Sequence, residues 1–276
     1  AEQHFQLGGL ATYFRRKHHI FDVALHGFPI GMKKSFRKYW GKPFAERVEQ
    51  VKKIVFDNPQ FQLTTTFDTE DFTRHLVETF RVSPEQVAGF FAELKAMNYY
   101  DEQSTTTREL FQRHFPDRLD VWRLLMEPIT YANGSTLDEP AISYGIVFSN
   151  FMSKGVYTFI GGTDLMLDMM AEELRGNGVD IQTRALVEKV IVEGGQVRGA
   201  VVNGQEIAAK VVISNGSLLN TVEDLVGTDH FNAEYLAGFQ KVRVSNSSSQ
   251  VYMGIRPGEK LEDIGDLLFT STHPVF

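Results

Sequence analysis

Apolar residues in the central part of the chain recur at helical spacing. One stripe consists of Val87, Phe90, Phe91 and Leu94. This i, i+3, i+4, i+7 order places the four side chains on one face of a helix. Ser83 is a good N-cap, Pro84 suits the first helical position, and Gln86 completes a capping box. The pattern predicts a helix from Pro84, within a segment (68–155) expected to be mainly helical.

Three further helix starts are expected in the same segment. Thr106 with Glu109 forms a second capping box, and Thr136 with Glu139 forms a third. Asp117 can cap a helix that lies between them, because Asp is a favoured N-cap residue.

After residue 155 the pattern changes to short apolar runs separated by glycine-rich turns. The predicted order is a strand at 156–160, a turn at 161–162, a helix at 163–175, a C-cap at 176–178, strands at 179–183, 187–192, 197–202 and 207–213, a helix at 218–226, and strands near 249–255 and 267–271. Asn203-Gly204 is a strong hairpin turn signal. An earlier strand is expected at 61–67, where apolar residues alternate. The class is therefore mixed α and β.

The composition is that of a globular protein with room for two lobes. The chain has 276 residues, of which 42% are hydrophobic and 23% charged. The net charge of −7 argues against a nucleic-acid binder, which needs a basic face. Because the sequence contains no Cys, disulfide scaffolds, Cys-ligated metals and thiol catalysis are excluded.

One basic segment stands out against this acidic background. Residues 33–53 mix Lys and Arg with aromatic residues such as Tyr39 and Trp40. A solvated helical face is one interpretation, and contact with an anionic membrane surface is another. The most apolar stretch, 141–160, is interrupted by polar residues and is expected to be buried rather than to span a bilayer. We therefore expect a cytoplasmic protein, with peripheral membrane contact left open.

Motifs for hydrolysis and phosphate transfer are absent from the sequence. It contains no H-E-x-x-H, G-x-S-x-G or G-x-x-x-x-G-K-[ST], and no metal site is expected. Gly161-Gly162 follows a predicted strand and opens a predicted helix, where backbone N–H groups favour an anion or a polarised oxygen. A plain strand–helix turn is the alternative. Gly8-Gly9 follows the acidic Glu2, and in dinucleotide-binding units such an acid bonds the ribose hydroxyls.

Two parts of the sequence carry a family likeness. The first comprises EQH at 2–4, LGGLAT at 7–12, IFD at 20–22 and His26. It resembles FAD-dependent oxidoreductases of the phytoene desaturase, carotenoid isomerase and retinol saturase family, which is related more distantly to the amine oxidases. The family pattern is an acid that ends the second strand, a P-G-G-R type turn, and G-x-x-F-D-x-G-x-H.

The second part is longer and begins at YTFIGG (157–162). It continues through VEKV at 187–190 and closes with VISN at 212–215. This succession is similar to the family's Y-x-x-x-G-G, V-x-x-I and V-V-S-N motifs. Together the two parts cover roughly residues 1–30 and 155–220.

The resemblance implies FAD as the cofactor and assigns roles to individual residues. Glu2 would bond the adenosine ribose, and Gly8-Gly9 would lie against the flavin or the pyrophosphate. Val187 would offer its backbone to the adenine. No catalytic residue is assigned.

On the substrate side of the flavin, the resemblance implies a lining of His26 and Gly161-Gly162. Two positions depart from the family pattern, since Leu7 stands where Pro is usual and Leu10 where Arg is frequent. The family's G-x-G-x-x-G and its C-terminal G-D segment are not in the sequence. The chain is therefore expected to be an internal piece that is inactive alone and binds FAD weakly or not at all.

The implied function is desaturation, isomerisation or saturation of an apolar polyene such as a carotenoid or retinoid, with FAD exchanging the hydride. The 22 Phe residues would then suit an apolar substrate lobe. Two alternatives remain, a flavin-dependent amine oxidase-like enzyme and a non-catalytic apolar-ligand or interaction module.

The implied fold is a partial Rossmann-like FAD-binding domain with a helix-rich substrate domain that carries a mixed sheet. The expected segments are 1–30 and 156–216 for the FAD-binding domain, and 31–155 and 217–276 for the substrate domain.

Overall fold

The computed structural model describes residues 1–24, 26–98, 104–152, 154–242, 244, 249–260, 262 and 265–274. The chain divides into two compact units. Unit 1 comprises Ala1–Ala24 and Thr163–Ser245, and unit 2 comprises Leu25–Gly162 and Asn246–Phe276.

Short strands and helices alternate along the chain. The strands are β1 (Tyr13–Arg16), β2 (His19–Asp22), β3 (Phe28–Pro29), β4 (Val48–Gln50), β5 (Ile54–Asp57), β6 (Gln62–Thr65), β7 (Val156–Phe159), β8 (Val187–Glu193), β9 (Gln196–Val202), β10 (Gln205–Ala208) and β11 (Leu267–Thr270). The α-helices are α1 (Gly31–Tyr39), α2 (Lys42–Ala45), α3 (Thr69–Arg74), α4 (Pro84–Ala96), α5 (Thr107–His114), α6 (Leu119–Asn133), α7 (Ala141–Phe151), α8 (Gly162–Gly176), α9 (Leu218–Asn220) and α10 (Ala233–Phe239). The π-helical segments His75–Thr79 and Thr221–Val226 continue α3 and α9, and Thr228–His230 is a 3-10 turn.

Two predicted helix starts in unit 2 are confirmed by their hydrogen bonds. At α4 the Gln86 N–H donates to the Ser83 hydroxyl at 3.2 Å, and the Ser83 N–H donates to the Gln86 side chain at 3.3 Å. Thr106 and Glu109 form the same reciprocal cap at the start of α5. Each box satisfies N–H groups that the first helical turn leaves without a partner.

The prediction that Asp117 caps α6 is wrong. Asp117 has a left-handed φ of 58°, and Arg118 occupies the N-cap position. The Arg118 N–H donates to the Phe115 carbonyl at 3.2 Å. Asp117 therefore belongs to the turn that reverses the chain before the helix begins.

The predicted helix start at Thr136 is also wrong, because α7 begins at Ala141 after Pro140. The Glu139 carbonyl accepts from the Thr107 N–H at 2.9 Å, so this segment pairs with the start of α5 instead of opening a helix.

The apolar faces of α3 to α7 form one continuous core in unit 2. Phe90 is fully buried, and its ring lies 5.1 Å from Phe115, 5.7 Å from Phe148 and 6.2 Å from Phe111, centroid to centroid. These separations are typical of edge-to-face aromatic packing. At these positions phenylalanine fills the core.

A mixed sheet brings the end of the chain into unit 2. Strand β11 pairs in parallel with β5, which pairs antiparallel with β6. The Asp266 carboxylate accepts from the backbone N–H groups of Lys52 and Lys53, both at 3.0 Å. The predicted strands at 61–67 and 267–271 are confirmed in β6 and β11.

The basic segment 33–53 contains most of α1, all of α2 and strand β4, which belongs to a second sheet of unit 2 ordered β3-β7-β4. Phe36 is buried against Phe28 and Phe44, with ring centroids 5.7 and 4.8 Å away. Lys34 and Tyr39 are exposed. The predicted solvated helical face is thus confirmed for α1, and the buried Phe36 lies beneath it. Among the described residues, no helix is long and apolar enough to cross a membrane.

Unit 1 contains the antiparallel sheet β8-β9-β10 and the hairpin β1-β2. The hairpin turn predicted at Asn203-Gly204 is confirmed, because both residues have positive φ angles of 47° and 76°. The predicted C-cap of α8 is also confirmed, since the Gly178 N–H donates to the Arg175 carbonyl at 2.9 Å. Helices and strands in both units confirm the mixed α/β class.

Two predicted strands, at 179–183 and 249–255, are wrong, and the strand predicted at 207–213 is confirmed only at its first residues, 207–208, which lie in β10. Of residues 179–183 only Thr183 makes a bridge, which is parallel to Glu2. Residues 211–213 and 249–255 form no strand, and Ile213 is 90% exposed. A strand exists only when a neighbour completes its hydrogen-bond ladder, and none of the described residues pairs with these two segments.

Candidate functional site

The first glycine pair forms a tight turn in unit 1. The Ala11 N–H donates to the Gly8 carbonyl at 2.9 Å, which closes the turn. Gly8 and Gly9 have φ angles of 112° and 56°. A Cβ on Gly8 would lie 2.7 Å from both the Ala11 oxygen and the Leu167 side chain on α8. A Cβ on Gly9 would meet nothing within 4 Å. The Gly8 backbone is therefore packed and the Gly9 backbone is accessible.

The second glycine pair opens helix α8. Gly161 and Gly162 have φ angles of 101° and 85°, a conformation that side chains with a Cβ rarely adopt. The helix begins at Gly162, and its N-terminal N–H groups form the positive end of the helix dipole. In the first turn Asp164 lies 3.8 Å from the Arg15 guanidinium of β1.

Glu2 and Val187 lie close together in unit 1. The Glu2 N–H donates to the Gln182 carbonyl at 2.8 Å, and the Glu2 carbonyl accepts from the Ala185 N–H at 2.9 Å. Val187, two residues further, begins β8 and pairs with Val202. The Glu2 carboxylate accepts from the His4 N–H at 2.7 Å through Oε1. An ionised carboxylate accepts several hydrogen bonds, so it can also accept from a hydroxyl.

His26 belongs to unit 2 and precedes β3. Its Nε2 lies 2.6 Å from the Gln250 side-chain nitrogen, and Gln250 accepts a hydrogen bond from the Tyr252 hydroxyl. Sequence reasoning did not identify Gln250 or Tyr252, because it took residues 249–255 as a strand. The polar residues at alternate positions of this segment were the available signal.

The residues of unit 1 fit the polar parts of a dinucleotide cofactor. Glu2 offers a carboxylate for ribose hydroxyls, and the open Gly9 backbone offers a close approach without a side chain. The start of α8 suits a negatively charged or polarised group. No three His, Asp or Glu side chains of the described residues cluster in a way that could hold a metal ion.

A second polar cluster, in unit 2, serves the fold. Burial raises the pKa of Asp71, but hydrogen bonds from Thr65 and from the Thr66 backbone outweigh it and hold the pKa below its usual value. The Thr65 hydroxyl lies 2.6 Å from the Asp71 carboxylate. Burial is also the main reason why the pKa of His75 is lowered. These groups join β6 to α3.

Comparison with solved structures places the fold among known proteins. The PF1083 protein of Pyrococcus furiosus matches with a TM-score of 0.65 and 18% identity, over 88% of this chain and 58% of that one. An oxidoreductase of Methanosarcina mazei matches with a TM-score of 0.65 and 16% identity, over 87% and 57%. The chain therefore shares the fold of this group, of which it spans somewhat more than half the length.

The sequence model of one family, described as flavin containing amine oxidoreductase, matches residues 3–225 of this chain. The chain belongs to this family. The family implies FAD as the cofactor, in agreement with the prediction.

Two curated proteins that match parts of this sequence carry the names of carotenoid enzymes. The 4,4'-diapolycopen-4-al dehydrogenase of Metabacillus indicus is 33% identical over 86 residues, which are 31% of this chain and 17% of that protein. The chloroplastic prolycopene isomerase of Daucus carota is 30% identical over 124 residues, 44% of this chain and 20% of that protein. The aligned parts thus span at most 20% of these two relatives. The predicted likeness to the carotenoid desaturase and isomerase group is confirmed.

Proposed function

We propose that the protein is a FAD-dependent oxidoreductase that desaturates, isomerises or saturates an apolar polyene. The observation that carries the proposal is the combination of the family profile over residues 3–225 with the carotenoid names of the curated relatives. FAD supplies the hydride exchange when bound, and the protein supplies binding and orientation.

The predicted site residues have distinct tasks in this proposal. Glu2 accepts from the ribose hydroxyls, and the Gly8-Gly9 turn and the Val187 backbone contact other polar parts of the cofactor. His26 and Gly161-Gly162 line the substrate side of the flavin. Unit 1 would then correspond to the FAD-binding domain and unit 2 to the substrate domain.

A flavin assay on the natural full-length protein tests the substrate class. We expect a yellow protein whose flavin bands bleach when a polyene is added without oxygen, or whose reduced flavin isomerises a cis-polyene. A protein that takes up no FAD would overturn the enzyme proposal.

The second candidate is an amine oxidase-like enzyme, which the family description itself favours. The same anaerobic assay separates the two candidates. Bleaching by primary or secondary amines, with no response to polyenes, would replace the first proposal by the second.

The glycine turn offers a matched pair of variants for cofactor binding. Gly9 and Gly178 have positive φ angles of 56° and 77°, and a Cβ would meet nothing within 4 Å at either position. Gly9→Ala and Gly178→Ala therefore impose similar backbone strain of about 1–2 kcal/mol. In the full-length protein we expect only Gly9→Ala to weaken FAD binding, measured by flavin fluorescence titration. Equal effects of the two variants would remove Gly9 from the cofactor site.

We also propose peripheral membrane contact through the exposed basic face of α1. Arg37 and Lys38 are exposed, and the Lys38 ammonium lies 4.7 Å from the ring centroid of Tyr39, which is 66% exposed. Clustered cations beside an exposed aromatic suit anionic headgroups. Co-sedimentation with phosphatidylglycerol vesicles should be lost in Arg37→Gln/Lys38→Gln and absent with phosphatidylcholine vesicles. Equal sedimentation of wild type and variant would refute the contact.

A further inference from the structure

His26 is contacted by a side chain from a distant part of the sequence. Its Nε2 lies 2.6 Å from the amide nitrogen of Gln250, which is 224 residues away along the chain. The Gln250 side-chain oxygen accepts a hydrogen bond from the Tyr252 hydroxyl. These three side chains, which we call the His26 chain, form one hydrogen-bonded series within unit 2.

The direction of the first hydrogen bond determines where the His26 proton lies. An amide nitrogen is only a donor, so the Nε2 of His26 has to accept. In a neutral imidazole the other ring nitrogen then carries the proton. The Tyr252 hydroxyl donates to the Gln250 oxygen, and in this arrangement the amide nitrogen faces the imidazole.

Both ends of the His26 chain lie beside residues that pack on the sheets of unit 2. Next to His26, a Cβ on Gly27 would lie 2.7 Å from the Val156 side chain of β7, so the backbone there packs closely on the sheet. At the other end, burial raises the pKa of Tyr131, and the nearby Tyr252 raises it further. The Tyr131 ring in turn packs on Phe269 of β11 with 5.8 Å between the centroids.

We propose that Gln250 and Tyr252 are positioning residues that hold His26 as the tautomer with its proton on Nδ1. His26 then presents a hydrogen-bond donor to its ligand, and such a donor stabilises an atom that gains negative charge. The identity of that ligand, flavin or substrate, rests on the proposed function. The tautomer itself does not depend on it.

The tautomer can be measured directly in the chain without cofactor. In protein labelled with ¹⁵N-histidine, long-range ¹H–¹⁵N correlation spectra show which ring nitrogen carries the proton. The pH is kept well above about 6.5, the ordinary pKa of histidine. His26→Gln identifies the signals of His26 among those of the 8 histidines.

The expected result is a His26 proton on Nδ1 in the wild type. Gln250→Ala should shift it towards the distribution shown by the exposed His18, and Tyr252→Phe should shift it in the same direction by a smaller amount. Gln205→Ala, which truncates an exposed glutamine on β10 in unit 1, is the matched control and should leave it unchanged.

Gln250→Glu supplies the sharpest test, because a carboxylate only accepts hydrogen bonds. The proton should then move to Nε2, where it can be donated to the carboxylate. A wild-type proton on Nε2, or a tautomer that neither Gln250 variant changes, would overturn the proposal. The flavin assay is independent, since failure to bind FAD with an intact Nδ1–H tautomer refutes only the proposed function.

Discussion

The two units differ in their apolar cores, because the large cluster of buried aromatic residues lies in unit 2. In unit 2, Phe72, Phe90 and Phe111 are completely buried in one core. In unit 1, Leu10 and Ile213 are 83% and 90% exposed. Unit 2 is therefore stabilised mainly by side-chain burial, while the described part of unit 1 depends more on turns, hairpins and backbone hydrogen bonds.

This difference matches the chemistry proposed for each unit. A dinucleotide cofactor presents phosphates and hydroxyls, which are bound best by exposed backbone N–H groups and a carboxylate. The Gly8-Gly9 turn and Glu2 provide such groups in unit 1. Unit 2 has instead a dense aromatic core. His26 and Tyr252 lie near residues that pack on this core, Val156 beside Gly27 and Phe269 against Tyr131.

The largest expected effect comes from the aromatic core of unit 2. Phe90→Ala removes a ring that contacts several others and leaves a cavity, which should lower the free energy of unfolding by about 3–5 kcal/mol. Urea unfolding followed by tryptophan fluorescence measures it, because the buried Trp122 packs beside Phe111 in the same core.

Two control variants show whether this cost is specific to unit 2. Phe5→Ala should cost less than about 0.5 kcal/mol, since Phe5 is 58% exposed. Phe239→Ala tests a buried phenylalanine of unit 1, read by hydrogen exchange in α10. A cost equal to that of Phe90→Ala would abolish the contrast between the units.

The next effect concerns a buried ion pair in unit 2. Arg123 is 1% exposed, contacts Glu127 at 3.2 Å, and donates to the His273 carbonyl at 3.0 Å. Arg123→Met leaves the Glu127 carboxylate without its counter-charge and should cost about 3 kcal/mol. The double variant Arg123→Met/Glu127→Leu should recover part of this loss, because no charge remains buried. A double variant less stable than Arg123→Met would contradict this account.

The pH dependence of the same variant has a definite sign. Burial raises the pKa of Glu127, and Arg123 opposes the rise, so Arg123→Met should raise the pKa further. Between about pH 4.3, the pKa of an unfolded Glu, and the raised pKa of Glu127 in the folded variant, the folded state binds more protons than the unfolded state. The free energy of unfolding of the variant therefore falls as the pH rises through this range. The cost of Arg123→Met should accordingly shrink on acidification, which unfolding curves between about pH 4 and 7 would show.

A smaller effect is expected where β6 meets α3. Thr65→Val removes the buried hydroxyl that donates to Asp71 and should cost about 1.5 kcal/mol at neutral pH. The pKa of Asp71 is lowered in the folded state, so its contribution is present above about pH 3.9 and is lost as the pH falls through the folded pKa. Thr65→Val should flatten this acid dependence, whereas Thr65→Ser, which keeps the hydroxyl, should preserve it. Parallel acid curves for wild type and Thr65→Val would refute the role of the hydroxyl.

The smallest changes in the free energy of unfolding are expected for one helix N-cap residue in each unit. Ser83→Ala in unit 2 and Asn232→Ala in unit 1 should each cost about 1 kcal/mol. Asn232 accepts from the Tyr235 N–H at 2.7 Å. Hydrogen exchange should locate the loss in α4 and α10 respectively. A loss spread evenly over the chain in both variants would show that the units unfold together.

Local structure was predictable wherever neighbouring residues supply both partners of a contact. The capping boxes at Ser83 and Thr106 and the Asn203-Gly204 turn join groups a few residues apart, so their spacing alone specifies them. The prediction failed at Thr136 and Asp117. After Thr136 the backbone pairs with the start of α5, and Asp117 has a left-handed φ of 58° within a local turn, so neither residue is free to cap a helix.

The candidate site was predictable only in part. The glycine pairs, Glu2, Val187 and His26 were found through a family resemblance, and their roles remain predictions. Gln250 and Tyr252 were missed because an apolar–polar alternation predicts a strand whether or not a neighbouring strand is present.

The sequence alone determined the mixed α/β class, the helix-rich central segment and the family. These depend on periodicity, capping and short motifs, which are properties of adjacent residues. The tertiary structure alone decided which apolar runs pair as strands, that β11 joins β5, and that Gln250 binds His26. The β5–β11 pairing and the Gln250–His26 contact join residues about 200 positions apart. Such hydrogen bonds form only when the whole unit folds, so the pattern of neighbouring residues does not specify their partners.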